Sequence, residues 1–83
     1  MAAHQVGLSG SLQTAAGGAA SISIEAATIR ELMRKLVERH PAMQSRIDEG
    51  VAVSINGEIF RDKWSEPIPE GAEVFLLPRI AGG

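Results

Sequence analysis

Ile29, Leu32, Met33, Leu36 and Val37 recur at i, i+3, i+4, i+7 and i+8, and this apolar stripe limits what the chain can fold into more than any other feature. The spacing predicts an amphipathic helix. Thr28 is placed as its N-cap, and Glu31 three residues later completes a capping box in which each side chain satisfies a free backbone donor at the helix start. Pro41 ends the helix after His40 by disfavouring helical backbone in the residue before it. Burying the five apolar side chains is favourable by roughly 1.5 to 3 kcal/mol each, provided that something covers them. A chain of 83 residues holds one domain, so the cover has to come from the segments on either side of the helix.

Those segments read as strands. Ser21-Ile22-Ser23-Ile24-Glu25 alternates polar and apolar residues, as do Val6, Leu8 and Leu12 before it, which predicts a first hairpin joined through Thr14 to Ala19. After the helix, Val51, Val53 and Ile55 lead into Asn56-Gly57, the favoured two-residue hairpin turn, and then into Glu58-Ile59-Phe60. Pro67, Pro69 and Gly71 mark a loop. Val74-Phe75-Leu76-Leu77 follows as a last strand, apolar on both faces and therefore central. Met43 and Ile47 are spaced for one more helical turn, which Gly50 closes. The expected fold is α+β, a mixed sheet of about five strands with one main helix on one face.

Composition excludes more than it suggests. Eight basic against ten acidic residues give a net charge of −2, too little positive charge for a nucleic-acid binder that must neutralise phosphates. No cysteine is present, which removes disulfides, thiolate metal sites and cysteine nucleophiles. His4, near the start, and His40, at a helix end, belong to no cluster with metal-ligand spacing, so no metal site is expected. Gly17-Gly18 lacks the lysine of a phosphate loop and reads as a turn. No serine sits in a nucleophile elbow. The start of the chain lacks the basic residues of a secretory signal, and the apolar run Val74 to Pro78 is far shorter than the roughly 20 residues of a membrane span. A cytoplasmic location without membrane contact is expected.

The chemistry concentrates in Leu76-Leu77-Pro78-Arg79-Ile80-Ala81-Gly82-Gly83. At ordinary glycine usage of about 7%, two glycines in the last two positions arise by chance in well under roughly 1% of chains, so the pair calls for a reason. Side chains shrink from Ile80 through Ala81 to glycine, the shape of a segment that threads a narrow channel. A terminal carboxylate is ionised at neutral pH and is a poor electrophile. Joined to AMP it gains a good leaving group, and a sulfur donor can then leave a thiocarboxylate on a protein without cysteine. Ordering five or six such residues costs roughly 1 to 2 kcal/mol each. The tail is therefore expected to be mobile when free and ordered by a partner that supplies strand-like hydrogen bonds. The domain is assigned to residues 1–77 and the tail to 78–83.

The sequence resembles the ubiquitin-like sulfur carriers of the β-grasp fold, including the small subunit of molybdopterin synthase and the thiamine-biosynthesis carriers. The resemblance rests on Ala16-Gly17-Gly18, on Glu25 to Leu32, on Val53-Ser54-Ile55-Asn56-Gly57, and on Pro69 to Val74 leading to Gly82-Gly83. It implies that Gly83 is adenylated by an activating enzyme of the ubiquitin-activating type, which uses the ATP, and that a sulfur donor protein then converts it to a thiocarboxylate. The carrier itself binds no cofactor. Pro78, Arg79, Ile80, Ala81 and Gly82 would thread into the large subunit of molybdopterin synthase, and Ile59, Phe75 and Leu77 would form the partner-binding face, with Val74 and Leu76 turned to the core. Chain length favours the molybdopterin branch over the shorter thiazole-forming carriers. Delivery to thiazole or cysteine, use as a protein modifier joined to lysine, and an inert-tailed interaction module are the alternatives. Arg79 departs from the second proline of many relatives, and Trp64 maps to no shared role.

Overall fold

A computed structural model describes residues 3–61 and 63–78. The elements run β1 (Ala3–Leu8), α1 (Ser11–Ala15), β2 (Ser21–Glu25), α2 (Ile29–Arg39), α3 (Met43–Glu49), β3 (Val51–Ile55), β4 (Glu58–Phe60) and β5 (Val74–Pro78). The five strands form one sheet in the order β2-β1-β5-β3-β4, with β1 and β5 parallel and every other pair antiparallel. This is the expected α+β arrangement, and β5 lies at its centre as its two apolar faces predict.

The capped helix forms as the stripe requires. Thr28 Oγ1 accepts from the Glu31 N–H at 3.2 Å, and Glu31 Oε1 reaches back to the Ala27 N–H at 2.6 Å. The loop before β5 satisfies two more first-turn donors: Ile29 N–H donates to Glu66 O at 3.1 Å and Arg30 N–H to Trp64 O at 2.8 Å. Removing the cap in Thr28→Ala should cost about 1 kcal/mol, read as a lower urea midpoint at unchanged slope; an unaltered midpoint would mean that the loop carbonyls hold the helix start without it. Ile29, Leu32, Met33 and Leu36 are buried on the inner face of the sheet against Val6, Val74, Leu76 and Val53. Val37, the fifth residue of the stripe, lies on its flank and is only partly buried.

Two expectations need correction, and His4 has a place that the sequence did not suggest. Leu12 is not a strand residue but the buried anchor of α1. Five residues without apolar periodicity gave no helical signal, and Gly17 and Gly18 close this helix, the Gly18 N–H donating to Gln13 O at 2.7 Å. Helix α3 extends the expected single turn around Met43 to seven residues, and the eleven-residue α2 is the one main helix. His4 is an interior residue of β1, 3% exposed, with Nε2 3.1 Å from Ala26 O; because a carbonyl only accepts, Nε2 carries the proton.

The Asn56-Gly57 turn forms as expected, both residues adopting positive φ, 50° and 87°. It has a second role that spacing does not reveal. The Asn56 N–H donates to Glu73 O at 2.8 Å, and Asn56 Oδ1 accepts from the Glu73 N–H at 2.9 Å. The hairpin end thereby fixes the entry of β5, the strand that leads to the tail.

Candidate functional site: the outer sheet face and the exit of β5

The helices cover one face of the sheet and leave the other open. Strand register places Ser21, Gly7, Phe75, Ser54 and Ile59 in one row across all five strands on the open face, with Leu77 opposite Ala52 in the next row. Phe75 and Ile59 are 44% and 47% exposed, the two large hydrophobic side chains so exposed among the described residues. Leu77 is partly exposed, whereas Val74 and Leu76 of the same strand are fully buried. The alternation of β5 thus resolves into a core pair and an outward pair. The exposed apolar side chains are thus grouped on this face rather than scattered over the surface.

Small residues make the face flat, and these were not picked out by sequence pattern. Ala52 and Ser54 point outward yet are 8% exposed, sheltered by the larger side chains beside them. Gly7 lies directly under the Phe75 ring, and a Cβ there would collide with ring carbons Cδ1 and Cε1. A glycine inside a strand is itself the signal of such a close approach. Gly7→Ala should therefore displace the ring and destabilise by about 1 to 3 kcal/mol, and Phe75→Leu in the same chain should recover part of the loss; additive losses in a double-mutant cycle by urea unfolding would contradict the contact.

The corner after β1 braces the exit of β5. Ser9 Oγ donates to Leu76 O at 3.4 Å, and Gln13 Nε2 donates to Leu8 O at 2.9 Å. Pro78 is the last residue of β5 and pairs with Val51, so the segment assigned to the tail begins inside the strand. Arg79, Ile80, Ala81, Gly82 and Gly83 lie outside the described residues.

The described residues bring together no catalytic group. His4 sits on the helix-covered side, across the sheet from Phe75, and His40 is the C-cap of α2. Among the described residues no three His, Asp or Glu groups converge to hold a metal ion, and no helix is long and apolar enough to cross a membrane. What the geometry offers is a flat apolar face ending at the strand from which the last residues continue.

The ThiS family model matches residues 6–83. The chain belongs to the ThiS family. Solved structures agree across nearly its whole length. A provisionally assigned molybdopterin converting factor subunit 1 of Pyrococcus furiosus matches at 22% identity and TM-score 0.80, over 96% of this chain and all of that one. SAMP1 of Haloferax volcanii matches at 27% and 0.78, over 98% and 99%, and the Amycolatopsis orientalis BexX/CysO complex at 25% and 0.76, over 95% and 98%. No curated protein sequence matches the chain significantly. This ThiS-family chain is accordingly a β-grasp protein of the ubiquitin-like sulfur-carrier class.

Proposed function

We propose that the chain delivers sulfur from Gly83 as the small subunit of molybdopterin synthase. The carboxylate attacks the α-phosphate of ATP held by an activating enzyme and releases pyrophosphate. The terminal sulfur of a persulfide on a donor protein then displaces AMP to form an acyl disulfide, and a second thiol cleaves its S–S bond, releasing the thiocarboxylate and leaving the two thiols joined as a disulfide. Arg79 to Gly82, which follow the end of β5 at Pro78, thread into the large subunit, and the Ile59, Phe75 and Leu77 face docks against it. The carrier contributes position, and the catalytic side chains belong to its partners.

The observation that carries this reading is the continuity of β5. One strand bears Phe75 and Leu77 on the open face and ends at Pro78, so a partner seated on that face receives the following residues at a fixed origin. Membership of the ThiS family and the likeness to the Pyrococcus subunit support it. A second reading, attachment of Gly83 to lysines of other proteins, is favoured by the 27% identity to the Haloferax modifier. Reconstitution separates the two. With a candidate activating enzyme, the chain should promote exchange of labelled pyrophosphate into ATP, and with the large subunit it should form a stable complex that sulfurates a pterin precursor. Pyrophosphate exchange accompanied only by conjugate ladders would support the modifier, and no exchange with any activating enzyme of its own cells would remove both.

A further inference from the structure

Two strands form the outer edges of the sheet, β2 and β4. β4 has three residues and β2 has five, so β2 is the longer free edge. The register fixes what that edge presents. The Leu8 N–H donates to Ala20 O at 2.9 Å, which makes Leu8 and Ala20 a bonded pair of the antiparallel ladder. Bonded pairs recur at every second residue, so Val6 with Ile22 and His4 with Ile24 are bonded pairs too. Ser21, Ser23 and Glu25 then turn their backbone N–H and C=O groups away from β1, toward the open edge. Such a row of outward groups is a template on which another strand can pair.

One helix occupies two of the three outward carbonyls. Arg39 Nη1 donates to Ser23 O at 2.7 Å, and Lys35 Nζ donates to Glu25 O at 2.6 Å. The two periods match: four residues of helix rise about 6.0 Å, and two residues of strand span about 6.8 Å. Helix α2, running antiparallel to β2, therefore brings one cation per turn to every second carbonyl. Both contacts are exposed, and both side chains lie outside the core, where water would serve the same carbonyls nearly as well. What the cations add is exclusion of a competing strand.

A second copy is the strand that fits this edge. Antiparallel pairing about a twofold axis at Ser23 sets Ser23 opposite its equivalent and Ser21 opposite Glu25, with no like charges opposed. Ile22 then lies beside Ile24 of the other copy on the helical side. With Lys35 and Arg39 in place, the same approach has to break both contacts in each copy and crowd two pairs of cations together.

We propose that Lys35 and Arg39 latch the β2 edge and keep the chain monomeric by excluding strand pairing with a second copy. The latch lies at the edge of the sheet and leaves the Phe75 face open. The inference stands independently of the chemistry at Gly83.

The test compares three full-length chains: the parent, the double variant Lys35→Ala with Arg39→Ala, and that double variant with Ser23→Pro added. Alanine keeps α2 helical. Proline at Ser23 removes an outward N–H and leaves the bonds to β1 intact, as an edge strand tolerates. Sedimentation from micromolar to millimolar protein should show monomers for the parent and the triple variant, and a concentration-dependent dimer for the double variant. Hydrogen exchange at the Ser21, Ser23 and Glu25 amides of the double variant should slow at least about tenfold from dilute to concentrated protein, and this map decides the case even where proline weakens the strand. A double variant that stays monomeric at millimolar concentration would overturn the proposal. So would a parent that itself dimerises, a dimer protected at β4 or around Phe75 instead of β2, or a dimer that survives Ser23→Pro.

Discussion

Adding one alanine after Gly83, or replacing Gly82 with alanine, is expected to lower sulfur delivery by at least about 100-fold, because misplacement of a reacting group by about 1 Å already costs that much. The extension displaces the carboxylate by up to about 3.3 to 3.6 Å along the chain, and Gly82→Ala places a Cβ where a narrow channel admits none. Neither change touches the core, whose last residue in the sequence is Leu76. The urea midpoint should therefore stay within about 0.5 kcal/mol of the parent. Cofactor synthesis at the parental rate in either variant would remove the threaded tail from the account.

Phe75→Glu carries the second large effect, and it falls on binding rather than on folding. Phe75 is 44% exposed at the centre of the open face, where a buried aromatic anchor in a complex is worth about 2 kcal/mol or more, roughly 30-fold in affinity. A charge there also has to be desolvated against the partner. In the free protein the same side chain faces water, and the change should cost about 1 kcal/mol or less. Leu76, its neighbour in β5, is fully buried, so Leu76→Ala should lose about 2 to 5 kcal/mol of stability. Calorimetric binding to the large subunit and urea unfolding of each variant separate the two sides of the strand. Unfolding by Phe75→Glu, or full affinity in that variant, would place the docking surface elsewhere.

Much of the fold was legible because local signals and packing agree. The 3.6-residue stripe from Ile29, the Thr28 cap, the Asn56-Gly57 turn and the two-faced apolar run at Val74 each state one local preference, and the tertiary structure satisfies all of them. What was hidden depends on partners distant in sequence. Helix α1 is too short to show a period and exists because Leu12 fills the core beneath β1 and β5. His4 lies near the start of the chain, yet antiparallel pairing with β2 buries it beside Ala26. Gly7 matters through an aromatic ring 68 positions later that the parallel β1–β5 pairing lays over it.

The site shows the same division. Alternation along β5 defines two pairs of side chains, and only the side taken by α2 decides that Phe75 and Leu77 are the outward pair. Trp64 too is placed by contacts distant in sequence, packing on the core while its carbonyl accepts from the Arg30 N–H at 2.8 Å. Gly82-Gly83, by contrast, speaks through composition and order alone, because its proposed chemistry needs a small, unhindered carboxylate and no fold of its own.

The most direct measurement is the intact mass of the protein isolated from its own cells during active synthesis of the sulfur-containing product. Sulfur delivery from Gly83 requires a population heavier by the exchange of one oxygen for one sulfur, mapped by fragmentation to Gly83 and absent from the variant extended by one residue. A single unmodified mass under those conditions, or the same increment on any other residue, would contradict it.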